Sequence, residues 1–159
     1  LQSVIFWLMG GLSARNWSHI QIALPFFAIG FPIAWVFSRD LNIMLLGDEK
    51  AMHLGIEVEK LKKILLVIGA MMAAAAVSVS GLIGFVGLMT PHAVRLMIGP
   101  DHKLLLPASA LTGAIFLIFA DIMARVLLSP TEIPVGVITA LFGAPFFLYL
   151  LRVKRRMLT

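Results

Sequence analysis

Three short stretches of this sequence carry residue types at spacings on which chemistry could rest. In Leu41–Lys63, LNIMLLGDEKAMHLGIEVEKLKK, Asp48 and Glu49 follow Gly47 directly. Carboxylates suit the first turn of a helix, where the backbone dipole is positive. Ala51, Met52 and Leu54 continue with helical spacing, and Gly55 can end the helix in a left-handed conformation. A second short helix is expected to start near Glu57 and run into the next apolar stretch. In Gly81–Leu96, GLIGFVGLMTPHAVRL, His92 and Arg95 lie about one turn apart beside Pro91. Ionisable groups inside an apolar stretch can relay protons or hold a ligand. Equally, Arg95 can extend to the membrane surface while His92 bonds a carbonyl freed near Pro91. In Phe119–Gly136, FADIMARVLLSPTEIPVG, Asp121 and Arg125 stand four residues apart, the spacing of an ion pair along one helix face. Such a pair either neutralises itself or presents Arg125 to an acidic partner, and spacing alone favours the first.

Other chemistry finds no support. There is no Gly-rich phosphate loop followed by Lys-Ser/Thr, no serine in a nucleophile elbow, and no paired carboxylates. The four histidines, at positions 19, 53, 92 and 102, lack metal-ligand spacing, and there is no cysteine. No catalytic residue, metal or cofactor is expected. If ATP drives this protein, another chain must bind it.

The elements that position these segments are spanning helices. Apolar residues make up 60% of the chain and charged residues 13%, with a mean hydropathy of +1.01. Soluble domains sit near half apolar and a quarter charged, so lipid is the expected solvent. A spanning helix needs about 20 largely apolar residues. Ile20–Phe37, Leu104–Leu128 and Val135–Leu151 meet that requirement, and Pro25 and Pro32 are expected to kink the first. Ile64–Thr90 is too long for one span. Gly81, Gly84, Gly87 and Pro91 divide it into a helix over about Leu61–Ser80 and another over about Ile83–Ile98. A partly unwound or re-entrant piece around Gly81–Gly87 fits there, provided protein or a water-filled cavity covers it. Leu1–Leu12 reads as the tail of a helix that begins upstream. With no signal-peptide pattern and an apolar start at Leu1, the chain is expected to be a C-terminal part of a longer protein.

Orientation follows from the basic residues. If Ile20–Phe37 runs inward, the inner side holds Arg39, Lys50, Lys60, Lys62, Lys63, Arg95, Lys103, Arg152, Lys154, Arg155 and Arg156. The outer side holds Arg15 and Arg125. This asymmetry obeys the positive-inside rule and accounts for the net charge of +5 without nucleic acid. The C-terminus is then cytoplasmic. Gly69, Ala73 and Gly81 form one row of small residues, and Ala70, Ala74 and Ser78 another; both suit close helix contacts in lipid.

Taken together, Leu41–Gly55, Gly81–Leu96, Gly99–Ala114 (GPDHKLLLPASALTGA), Ala120–Leu128 (ADIMARVLL) and Glu132–Leu151 (EIPVGVITALFGAPFFLYLL) resemble the permease subunits of ABC importers for iron–siderophore complexes, haem and cobalamin. They occur in that family's order and spacing from about Trp7 onward. The resemblance implies an all-α polytopic bundle: about five spanning helices of a ten-helix permease, in one domain over 1–159. Its coupling loop, 41–61, would dock into a cytoplasmic ATP-binding subunit through Gly47, Asp48, Glu49, Ala51, Leu54 and Gly55. Two permease copies, identical or not, would enclose the path. A periplasmic or lipid-anchored substrate-binding protein would meet Arg125 with acidic residues, which turns the reading of Arg125 from neutralisation to docking. Gly84, Gly87, Pro91 and His92 are candidates for pathway or helix-packing roles. The implied location is the bacterial plasma membrane. A secondary transporter or channel subunit would need no ATPase and calls for a deep charged relay, at which only His92 hints. An intramembrane enzyme lacks any nucleophile–base pair or metal set.

Overall fold

Among the described residues the chain forms seven helices, with glycine at four of the breaks between them: Gly47, Gly55, Gly81 and Gly99. These are α1 (Trp17–Val36), α2 (Ser38–Met44), α3 (Asp48–His53), α4 (Val58–Ser80), α5 (Val86–Ile98), α6 (His102–Val126) and α7 (Val135–Arg156). The structure, a computed structural model, describes residues 9–13, 15–127 and 133–156. Most of the expected helix tail over Leu1–Leu12 and most of the turn expected between Pro130 and Pro134 lie outside the described residues. The architecture is all-α, as expected.

Three helices, α1, α4 and α6, are long and apolar enough to cross a membrane. Leu66, Leu111 and Ile115 on them are each about two-thirds exposed or more (72%, 67% and 68%). So many exposed apolar side chains along these helices call for lipid or further protein around them. The other two expected spans are shorter as apolar helices. The apolar part of α7 covers Val135–Leu150, and α5 has 13 residues. At 1.5 Å per residue α5 rises about 20 Å, short of a hydrocarbon core of about 30 Å.

The shortfall in α5 has a local cause. Residues 81–85 leave the helical conformation, where sequence placed the break. Gly81 takes φ +70° and Phe85 takes φ +67°, the one non-glycine residue with positive φ among those described. That conformation costs an L-residue roughly 1–2 kcal/mol, so packing must hold it. Gly143 on α7 supplies the space: a Cβ there would overlap the Phe85 side chain. Gly136, at the start of α7, likewise lies so close to the Met9 carbonyl that a Cβ would overlap it.

The helices pack in two groups. α1 lies along α4, and α6 lies between α5 and α7. At the α1–α4 crossing a Cβ on Gly30 would stand 2.6 Å from Met72 Sδ. Both prolines of α1 sit inside one unbroken helix. A core of Ala120, Ala124, Val135 and Ile138 joins α6 to α7. The small helix α2 touches both α1 and α6 and so bridges the groups.

One expectation on this region is corrected. The second short helix forecast near Glu57 is no separate element: Glu57 caps α4, whose first turns bury Val58 and Leu61. The second short helix is instead α2, upstream of α3. In the rows Gly69/Ala73/Gly81 and Ala70/Ala74/Ser78 Gly81 is buried, while the other residues are exposed and a Cβ on Gly69 would meet nothing. The face of α4 turned to Gly30 of α1 carries Ile68 and Met72.

Candidate functional site

Helix α6 has a foot, where it begins at Asp101, and a head, where it ends beyond Arg125. Candidate residues collect at both.

At the foot, α3 forms where the glycine-bounded pattern places it. Gly47 enters with φ +106° and Gly55 leaves with φ +85°. Only glycine adopts such angles without strain. Asp48, at the first helical position, forms an ion pair with Lys62 on α4. Ala51 is fully buried, and its carbonyl accepts from Ile56 N at 3.1 Å, which folds the chain back towards α4. Asp48 and Ala51 therefore hold α3 against its own chain. Glu49, Met52 and Leu54 are exposed, and so are Leu45 and Leu46 before them. This mixed acidic and apolar surface is what α3 can offer a partner. A cleft of about 510 Å³ opens beside it, with Arg39 and Asp40 of α2 and Glu57 and Lys60 at its rim.

The same end carries a polar clasp that sequence reasoning missed. Asn42 of α2 donates from Nδ2 to Asp101 Oδ1 at 2.7 Å, and its Oδ1 accepts from His102 N at 2.8 Å. His102 Nδ1 lies 2.8 Å from the same Oδ1. Asp101 caps α6 by accepting from Lys103 N at 2.9 Å. The hydrogen bond from Asn42, with that from the Lys103 backbone, holds the Asp101 carboxyl below its ordinary pKa. Trp35, at the end of α1, donates its indole N–H to the Lys103 carbonyl at 3.0 Å. That carbonyl lacks its usual helical partner because the residue four positions on is Pro107, which has no N–H. Pro107 was the signal in the sequence: a proline inside a helix leaves an acceptor that something must satisfy.

At the head, Arg125 Nε donates to Asp121 Oδ2 at 2.8 Å, and its terminal nitrogen reaches Oδ1 at 3.4 Å. The ion pair read from the sequence is present. The Arg125 side chain is about half exposed while that of Asp121 is 21% exposed, so the cation points more towards solvent. Ala120 and Ala124, buried against α7, fix the helix face from which the pair projects.

The remaining candidates sit on or before α5. Pro91 is inside the helix, and His92 and Arg95 are exposed on it. A Cβ on Gly84 or Gly87 would meet nothing within 4 Å, so these glycines border open space rather than a close contact among the described residues. Thr90, one turn along, is buried near Gly113 of α6 and bonds the Val86 carbonyl at 2.8 Å. Among the described residues no three histidine or carboxylate side chains converge.

Comparison with known proteins matches residues 1–153 to the FecCD transport family. The chain is similar to the cobalamin import system permease protein BtuC of Halobacterium salinarum, at 51% identity over 96% of this chain and 41% of the relative. It is 44% identical to the Fe(3+)-citrate import system permease protein YfmE of Bacillus subtilis, over 98% of this chain and 47% of that one. With the hemin transport system permease protein HmuU of Yersinia pestis it shares 43% identity over 98% of this chain and 46% of the relative. The structure of an inward-facing metal-chelate type ABC transporter superposes with a TM-score of 0.89 at 36% identity, covering 96% of this chain and 49% of that one. The chain thus spans less than half the length of these curated relatives. Matched along nearly its whole length in both sequence and fold, it belongs to the FecCD transport family.

Proposed function

We propose that this chain is the C-terminal half of the transmembrane permease subunit of an ATP-driven importer, carrying an iron–siderophore, haem or cobalamin-type ligand. The observation that carries this is α3: a short, glycine-bounded helix pinned to a spanning helix by Asp48–Lys62, with Glu49, Met52 and Leu54 left outward. A spanning helix that only needed a connection would not require an exposed helix braced on both sides. Coupling requires an element whose position differs between two states and which two sites both bias.

In this account α3 inserts into a cytoplasmic ATP-binding subunit, which hydrolyses ATP, while the permease catalyses no reaction. Gly47 and Gly55 set the angle of α3, Asp48 and Ala51 brace it, and Glu49 and Leu54 meet the partner. At the head, Arg125 meets an acidic residue of a substrate-binding protein. A second permease copy, identical or related, completes the ten-helix-per-subunit path in the plasma membrane, with both α3 and the C-terminus cytoplasmic. The basic residues crowded on the α3 side support that orientation.

The test uses the complete permease reconstituted with its ATPase and binding protein. Wild-type vesicles should take up labelled ferric siderophore, haem or cobalamin only with ATP. Glu49→Lys should retain ATP hydrolysis and lose most uptake. Uptake without ATP, driven by an ion gradient, would assign the protein to secondary transport instead.

A further inference from the structure

The clasp at the foot of α6 joins two parts of the molecule that the sequence keeps far apart. Asn42 sits on α2, three residues before the Leu45–Leu46–Gly47 entry to α3. Asp101 and His102 begin α6, 59 and 60 positions later. The Asn42 side-chain carbonyl accepts from His102 N and lies 2.8 Å from His102 Nδ1, and its amide donates to the capping carboxylate. Helix capping alone does not require this, because Asp101 already caps α6 through Lys103 N. Asn42 adds a connection to a different element. Trp35 adds a second, at the carbonyl that Pro107 releases. α1 and α2 are themselves continuous in hydrogen bonding, with Phe37 N donating to the Ile33 carbonyl and Leu41 N to that of Phe37. The first turn of α6 is therefore held from two points on one semi-rigid arm, and that arm ends in α3.

From its foot α6 runs 25 residues, a rise of about 37 Å, to the turn that carries Asp121 and Arg125. It packs between α5 and α7 along the way. A displacement of α3 transmitted to the foot thus reaches the far face without passing through α4. The ion pair Asp48–Lys62 provides the other, direct route, into α4.

We propose that Asn42 is a positioning residue that fastens the α3 arm to α6, so that movement of α3 is carried along α6 to the Arg125 end. This rests on the importer function proposed above. In that setting Asn42 relays the state of the ATPase to the docking site of the binding protein, and the reverse, since coupling between two sites is reciprocal.

The experiment uses three variants of the complete permease in its reconstituted complex: Asn42→Asp, Asp101→Asn, and the two together. Asn42→Asp sets two carboxylates against each other and removes the donor. The double variant restores one amide and one carboxylate with their places exchanged, and keeps a carboxylate oxygen for His102 N. Asn42→Asp should lower uptake at least tenfold, with basal ATP hydrolysis within twofold of wild type and its stimulation by ligand-loaded binding protein lost. The double variant should regain both. Loss of uptake in proportion to the amount of folded complex, or failure of the double variant to restore stimulation, overturns the proposal. Hydrogen exchange of the segment containing His102, measured on the permease alone, reads the clasp independently. It should quicken in Asn42→Asp and recover in the double variant, and no change overturns the clasp. A wild-type complex that never transports with ATP refutes the importer function, while the exchange result still decides whether Asn42 holds α6.

Discussion

The foot and the head of α6 are fastened by different physics. At the foot, directional polar contacts dominate: Asn42 to Asp101 and His102, Trp35 to the Lys103 carbonyl, Lys62 to Asp48. These lie at or near the surface, where each bond is exchanged against water and contributes little net. At the head, backbones approach closely. Gly136 sits against the Met9 carbonyl, Gly143 against Phe85, and Ala120 and Ala124 against Val135 and Ile138. Close packing of small residues is the main contact available to helices in lipid and tolerates little displacement. The foot is joined by contacts that can be exchanged, and the head is packed so that it moves as one body.

Variants of the two ends should separate these roles. The largest effect belongs to Gly136→Val, whose side chain would run into the Met9 carbonyl. It should cost about 3 kcal/mol, the upper part of the range for overpacked sites, read as loss of folded permease on detergent extraction. Normal yield would refute the close packing at the head. Gly55→Val comes next. Its side chain would meet open space, so the penalty is confined to the left-handed backbone, roughly 1–2 kcal/mol. Folded permease should survive, while ATP hydrolysis and uptake become uncoupled. Arg125→Ala should be smaller still in stability, a few tenths of a kcal/mol for an exposed pair at this spacing. It should nevertheless weaken docking of the binding protein about tenfold, or about 1.4 kcal/mol, in a surface-binding assay. Unchanged docking would return Asp121–Arg125 to simple neutralisation.

The smallest effect concerns pH. The Asp101 carboxyl is held below its usual pKa, first by the hydrogen bond from Asn42 and then by that from the Lys103 backbone. A depressed folded value means the contribution is complete above the unfolded value of about 3.9 and is lost as pH falls through the lower, folded one. Exchange at the foot of α6 should therefore quicken only below about pH 4, and Asp101→Asn should remove that dependence.

Local order was legible in the sequence, and long-range pairing was not. The α3 limits follow from Gly47 and Gly55, which alone can take the left-handed angles seen there. The Asp121–Arg125 pair follows from helical spacing, and the break before α5 from Gly81 and Gly84. The clasp did not follow, because nothing near Asn42 in the chain points to Asp101, 59 positions away. The positive φ at Phe85 was equally hidden, since only tertiary packing against Gly143 supports it. The small-residue rows on α4 remain largely exposed for a related reason. Spacing shows that a face can pack closely, but not whether its partner is within the same stretch of chain.

The central claim is that α3 and the foot of α6 lie in the cytoplasm while Arg125 faces out. A single cysteine at Met52→Cys, on the exposed face of α3, tests it directly in a complete permease from whose remaining part any cysteine has been replaced; residues 1–159 contain none. A membrane-impermeant maleimide should modify that residue in inside-out vesicles and leave it untouched in intact cells. Modification from outside intact cells would invert the topology and remove α3 from the reach of any ATPase.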